Sequence, residues 1–170
     1  MLKSQDILLL LCLVDEAGAR ASTRQLARRL GLSKSEVTNA KARVSFSGLY
    51  DKDRGRVRTG PLLEFLEHGL KYAFAARPGE GEVLGVPTAH SAHPLRAELC
   101  GDGGAPLVWI HPEGAVRGRA LAPLYHSVPD IALADDVLYR RLTLVDALRV
   151  GRARERNLAI QFLREDLCLN

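Results

Sequence analysis

Between Ser22 and Tyr50 the apolar positions recur at helical spacing in two short runs. Leu26, Ala27 and Leu30 make the first stripe; Val37, Ala40 and Val44 make the second. Ser22 precedes the first run with Gln25 three residues on, the pairing of a capping box. Gly31 supplies a backbone free to turn sharply, and Leu32 is expected to plug the gap between the helices. Ser33 and Glu36 predict a second capping box. Lys34, Ser35, Thr38, Asn39 and Ala42 fall on the face opposite the second stripe.

The run I-L-L-L-L-C-L-V near the start is only about eight residues long, too short to span a bilayer. Lys3 precedes it, as in a signal peptide, but Asp15 and Glu16 follow without a small-residue cleavage site. It is read as a first helix, capped by Ser4, with a wide buried face. Pro61 is expected to open a helix reaching about residue 73, with Leu62, Leu63, Phe65, Leu66, Leu70 and Phe74 apolar, packed back on the first. Residues 75 to 106 are rich in Gly, Pro, Ala and His, and read as a long irregular connection. P-L-V-W-I-H-P and A-V-R-G-R-A-L, separated by P-E-G, predict a hairpin, and L-A-P-L-Y-H-S-V-P a proline-bounded loop. Asp135 is expected to cap a helix over 136–150 with Val137, Leu138, Leu142, Val145 and Leu148 inward. Gly151 interrupts. A last helix over 152–167 carries Ala153, Leu158, Phe162 and Leu163 near one face.

Two short helices joined by a tight turn form the pattern of a helix-turn-helix, whose second helix can enter the major groove of DNA. Asn39 suits adenine and the Ala42 methyl suits thymine. Leu49 and Tyr50, a D-K-D-R-G turn and R-V-R-T then predict a basic hairpin, with Arg54, Arg56 and Arg58 alternating along it. A solvated basic hairpin has the same composition; its place directly after a helix-turn-helix favours DNA contact.

Q-L-A-R-R-L-G-L-S, V-T-N-A and S-G-L-Y before the hairpin resemble the winged helix-turn-helix regulators, the broad group including MarR-like and ArsR-like families. The resemblance covers roughly residues 3 to 72. It implies a winged helix-turn-helix over 1–74; with the patterns read above, the expectation is a mainly α fold with small β-hairpins, a connection over 75–106, and a hairpin plus two helices over 107–170. Lys41 departs from the pattern, standing where such helices often carry leucine or isoleucine. It either snorkels from the core edge toward a phosphate or reports a slightly rotated helix.

Charge sharpens the picture more by its distribution than by its total. The 170 residues carry a formal net charge of +4 and a pI of about 9.2. Residues 1 to 60 hold 12 Lys and Arg against 6 Asp and Glu, whereas residues 61 to 135 hold 5 against 9. A basic module followed by an acidic stretch points to a nucleic-acid footprint at one end. Arg24, Arg28 and Arg29 are expected to add backbone contacts. The three cysteines, Cys12, Cys100 and Cys168, form no framework and suit a reducing cytoplasm.

Catalytic and metal readings are weak. His90, His93, Cys100 and His111 are ligand types for zinc, but loop histidines beside Pro and Ser are more often solvated. Ser91, His93 and Asp102 lack a nucleophile elbow. G-D-G-G at 101–104 reads as a turn, because no Lys-Ser/Thr follows. Tyr125 and His126 sit in a loop where they could line a small-molecule pocket. Arg149, Arg152, Arg154 and Arg156 suit a salt-bridged helix face, a phosphate contact or an acidic partner. The expectation is therefore a cytoplasmic transcriptional regulator, a repressor in first instance, binding double-stranded DNA as a homodimer through residues within 61–170. No enzyme activity, cofactor, metal or membrane is expected. The alternative is an antitoxin-like protein-interaction module that holds a partner through its C-terminal helices and also autoregulates its operon.

Overall fold

Helix α1 (Ser4–Leu13) lies at the centre of the fold, and every residue from Ile7 to Leu13 is buried. A helix that is apolar all round must be covered on all sides. Here α3 (Thr23–Leu30) and α4 (Lys34–Phe46) cover one part and α9 (Asp136–Val150) another. The start of α1 is capped by Asp6, whose carboxylate accepts the Lys3 amide at 2.8 Å, so Ser4 is the first helical residue and not the cap. Burial pushes the Cys12 thiol up to about 11, as suits a small core residue. The short α2 (Glu16–Arg20) follows. This computed structural model describes residues 1–99 and 104–167. Cys100, Asp102, Cys168 and most of the expected 101–104 turn lie outside the described residues.

The junction of α3 and α4 follows the local pattern. Ser22 and Gln25 form a reciprocal capping box, and Gly31 closes α3 at φ +64°. The Leu32 amide reaches the Ala27 carbonyl at 2.9 Å, and its side chain is buried between the helices. Ser33 caps α4 by accepting the Glu36 amide at 3.0 Å. The Glu36 carboxylate does not return to complete that box. It accepts from Gln5 at 3.1 Å and from Arg43, a charged donor that outcompetes a neutral amide. After Gly48 (φ +76°), β1 (Tyr50–Asp51) and β2 (Arg56–Val57) pair antiparallel, Tyr50 opposite Val57, with Gly55 at φ +65° in the turn.

The next helix starts two residues before Pro61. It runs as α5 (Thr59–Glu64), one π-helical turn (Phe65–Gly69) and α6 (Leu70–Ala73), with Pro61 inside the first turn, where no amide bond is lost. Its main neighbours are α9 and α10 (Ala153–Asp166), whereas it was expected to pack back on α1.

Residues 75 to 106 are not an irregular connection. They contain β3 (Val83–Pro87), a 3₁₀ turn (Ala89–Ser91) and α7 (Leu95–Leu99). β4 (Leu107–Ile110) and β5 (Val116–Ala120) both pair antiparallel with β3 and run parallel to each other, so the expected β4–β5 hairpin does not form. Glycines permit this closure. A Cβ on Gly85 would overlap the Trp109 carbonyl, and one on Gly118 would overlap Pro106. The stretch expected as a proline-bounded loop holds α8 (Val128–Ala134), with Pro129 in its first turn.

Asp135 caps α9 through the Leu138 amide at 3.1 Å, as predicted. Leu138, Leu142, Val145 and Leu148 are buried, but Val137 points outward. The apolar residues of α1, α3, α4, α5, α6, β3, β4, α8, α9 and α10 join one continuous core, which does not divide at residue 74. Arg141 is buried in that junction, donating to the Leu11 carbonyl at 2.9 Å and, through both terminal nitrogens, to Asp15. Most of the apolar surface of α9 is thus covered within the chain. No helix among the described residues is long and apolar enough to cross a membrane.

Candidate nucleic-acid interface

The exposed side of α4 is set by what its other side buries. Val37, Ala40 and Val44 are fully buried, which leaves Lys34, Ser35, Thr38, Asn39 and Ala42 exposed together. Lys41 lies half-buried at the margin, and Phe46 extends the stripe at 92% exposure. With the three inward residues fully buried, the helix is not rotated to accommodate Lys41. The Thr38 hydroxyl donates back to the Lys34 carbonyl at 3.1 Å. No acidic side chain lies among these outward residues; Glu36, at the edge, is held by Gln5 and Arg43.

A buried ionic anchor fixes α4 against α1. Arg43 donates to the buried Asp6 carboxylate at 2.8 and 2.6 Å and also to Glu36. The Arg43 hydrogen bond holds the Glu36 carboxyl below its ordinary value. A depressed folded-state value means that stability is present above the unfolded value, about 4.3, and is lost as pH falls through the folded one. Glu36→Gln should therefore melt earlier than the parent at pH 7 and lose less on acidification. Thermal melts at pH 7 and pH 3 check this, and equal acid losses would refute it.

The expected cationic residues are distributed unevenly. Arg24 and Arg28 are exposed on α3, and among the described residues neither has an ion-pair partner. Arg29 differs. It is half-buried and paired with Asp135 at 2.7 and 2.8 Å, and so holds α3 to the start of α9 in place of facing outward. On the hairpin, Arg54 and Arg58 are 82% and 55% exposed, each about 4 Å from Asp51. Arg56 is exposed beside Val57, over a cleft with Leu13, Val14, Glu16 and Ala19. Lys52 and Phe46 belong to this surface although the motif did not name them. Lys52, the first turn residue after β1, lines one cleft with Tyr50, and a spacing of four sets Phe46 in line with Ala42.

The other candidate clusters do not assemble among the described residues. Among the described residues no group of three or more His, Cys, Asp or Glu converges as a metal site. His90 meets the Ala105 carbonyl at 3.2 Å, while His111 meets Asp130 at 3.1 Å. The Ser91 hydroxyl accepts the Leu107 amide at 2.8 Å. The Tyr125 and His126 rings contact each other at a tilt of 38°, with centroids 4.2 Å apart. Arg149 is buried against Asp146, and Arg156 bonds the Gly151 carbonyl at 2.8 Å. Compared with protein-family models, with curated proteins and with solved structures, the chain has no match.

Proposed function

We propose that this chain is a winged helix-turn-helix regulator that binds duplex DNA sequence-specifically, with α4 in the major groove and the β1–β2 hairpin as the wing. The observation that carries the reading is the outward face of α4: short and polar side chains without a carboxylate, flanked by Arg24, Arg28 and the hairpin arginines. Such a face admits close approach to base edges, while the flanking cations suit phosphates. Action at a promoter, as a repressor and as a homodimer on two half-sites, belongs to the same proposal.

A duplex selected from a random pool tests it. Asn39→Ala should cost roughly 1–3 kcal/mol on the selected site and relax preference at one or two positions. Arg54→Ala with Arg56→Ala should weaken binding to all sequences and lower the salt slope by about two per bound protomer. Failure of the parent to enrich any sequence or to bind with salt dependence would refute the function. Light scattering on the bound and free protein decides the homodimer. A second reading, an antitoxin-like module holding a protein partner, is favoured by Leu133 and Val137, exposed on either side of the α8–α9 junction. Stoichiometric co-purification with a neighbouring gene product would support it.

A further inference from the structure

A cleft of about 400 Å³ opens between α4, the start of α3 and the hairpin, lined by Thr23, Thr38, Lys41, Ala42, Ser45, Tyr50 and Lys52. Its chemistry is one-sided. Two ammonium groups and three aliphatic hydroxyls surround a floor that includes the Ala42 methyl and the Tyr50 ring, and no carboxylate lines it. Asp51, between Tyr50 and Lys52, is turned to the other face of the strand. There its carboxylate accepts the Asp53 and Arg54 amides at 3.1 and 3.0 Å and faces Arg58 at 3.9 Å. Among the described residues neither Lys41 nor Lys52 has an ion-pair partner. Thr38 and Ala42 belong at once to this cleft and to the outward face of α4, so whatever fills the cleft continues from whatever meets that face.

We infer that this cleft is a clamp for one sugar–phosphate unit of the bound duplex. Lys41 and Lys52 take the phosphate from the helix side and the hairpin side, and the sugar lies on Ala42 and Tyr50. The inference rests on the DNA-binding reading above and adds a fixed register for α4: a phosphate held from two elements sets how deep and where along the groove the helix sits. It also gives Lys41, set where such helices often carry an apolar residue, a reason to be charged. Its stem lies against the core edge while its ammonium reaches the cleft.

The test uses the full-length protein with Lys41→Gln and Lys52→Gln, singly and together, since glutamine keeps most of the aliphatic stem. Thermal melts first confirm an unchanged fold. On a duplex selected by the parent, the double variant should bind more weakly and lower the salt slope by about one per bound protomer, not two, because both lysines serve one phosphate. Base preference should stay that of the parent, unlike that of Asn39→Ala. A neutral methylphosphonate placed at each backbone position in turn should find one position in each half-site that weakens the parent and leaves the double variant unaffected. Parent-like affinity and slope in the double variant, with a parent that binds DNA, would overturn the clamp alone. A parent that binds no duplex overturns the DNA reading and the clamp with it. Titration with inorganic phosphate separates the sources: saturable shifts of the Lys41 and Lys52 amides, with no methylphosphonate-sensitive position, would assign the cleft to a free anion and overturn the duplex as its occupant.

Discussion

A fragment ending at residue 74 is expected to show no cooperative thermal transition and a poorly dispersed amide spectrum, although it contains every residue proposed to touch DNA. The reason is α1. Its buried run from Ile7 to Leu13 is covered partly by α3 and α4 and partly by α9, which the fragment lacks. The Leu11 carbonyl and Asp15 would lose Arg141, and Arg29 would lose Asp135. Ser127, which donates to the Leu30 carbonyl at 2.7 Å beside the Gly31 turn, would also be gone. Exposing even three leucine side chains costs roughly 1.5–3 kcal/mol each. That is comparable with the whole stability of a typical domain, about 5–15 kcal/mol. A fragment that melts cooperatively and binds the selected duplex would show that the first half is self-sufficient and that its contacts to α8 and α9 are incidental.

The same contacts explain which features could be read from the chain and which could not. The Ser22–Gln25 box, the Gly31 turn, the Leu32 plug and the Asp135 cap each depend on residues within a few positions, so local pattern sufficed. Arg29 reads as a DNA-side cation only while Asp135, its partner 106 residues away, is out of view. The half-formed box at Ser33 has the same cause: Glu36 answers to Arg43 and Gln5, not to its own helix start. β3 was hidden by its composition. Gly85 and Pro87 read as breakers, yet at Gly85 the β4 backbone at Trp109 approaches too closely for any side chain. α8 was hidden by Pro129, which a first helical turn accepts without loss. The outward face of α4 was legible because it is the complement of a strict apolar stripe, whereas Lys52 needed the hairpin register to bring it over α4.

Asp146→Ala is the single substitution expected to destabilise the fold most. Its fully buried carboxylate accepts Thr88 Oγ1 at 2.9 Å and Trp109 Nε1 at 2.7 Å, and lies 2.6 Å from Arg149. Burial pushes this carboxyl above its ordinary value, and Arg149 and the two other donors pull against that. Arg149 in turn donates to the carbonyls of Phe74 and Ala122, so one carboxylate joins the end of β3, β4, α6 and α9. Alanine here would strand a buried guanidinium and leave an indole N–H and a hydroxyl without their acceptor. Breaking a buried ion pair from one side costs about 3–5 kcal/mol. The chain has one tryptophan, so denaturant unfolding followed by its emission reports the loss directly. Adding Arg149→Met should recover part of the loss, because the stranded charge is then gone and the two changes are strongly coupled. A single variant within about 0.5 kcal/mol of the parent would mean that the sheet and helices are held by apolar packing alone.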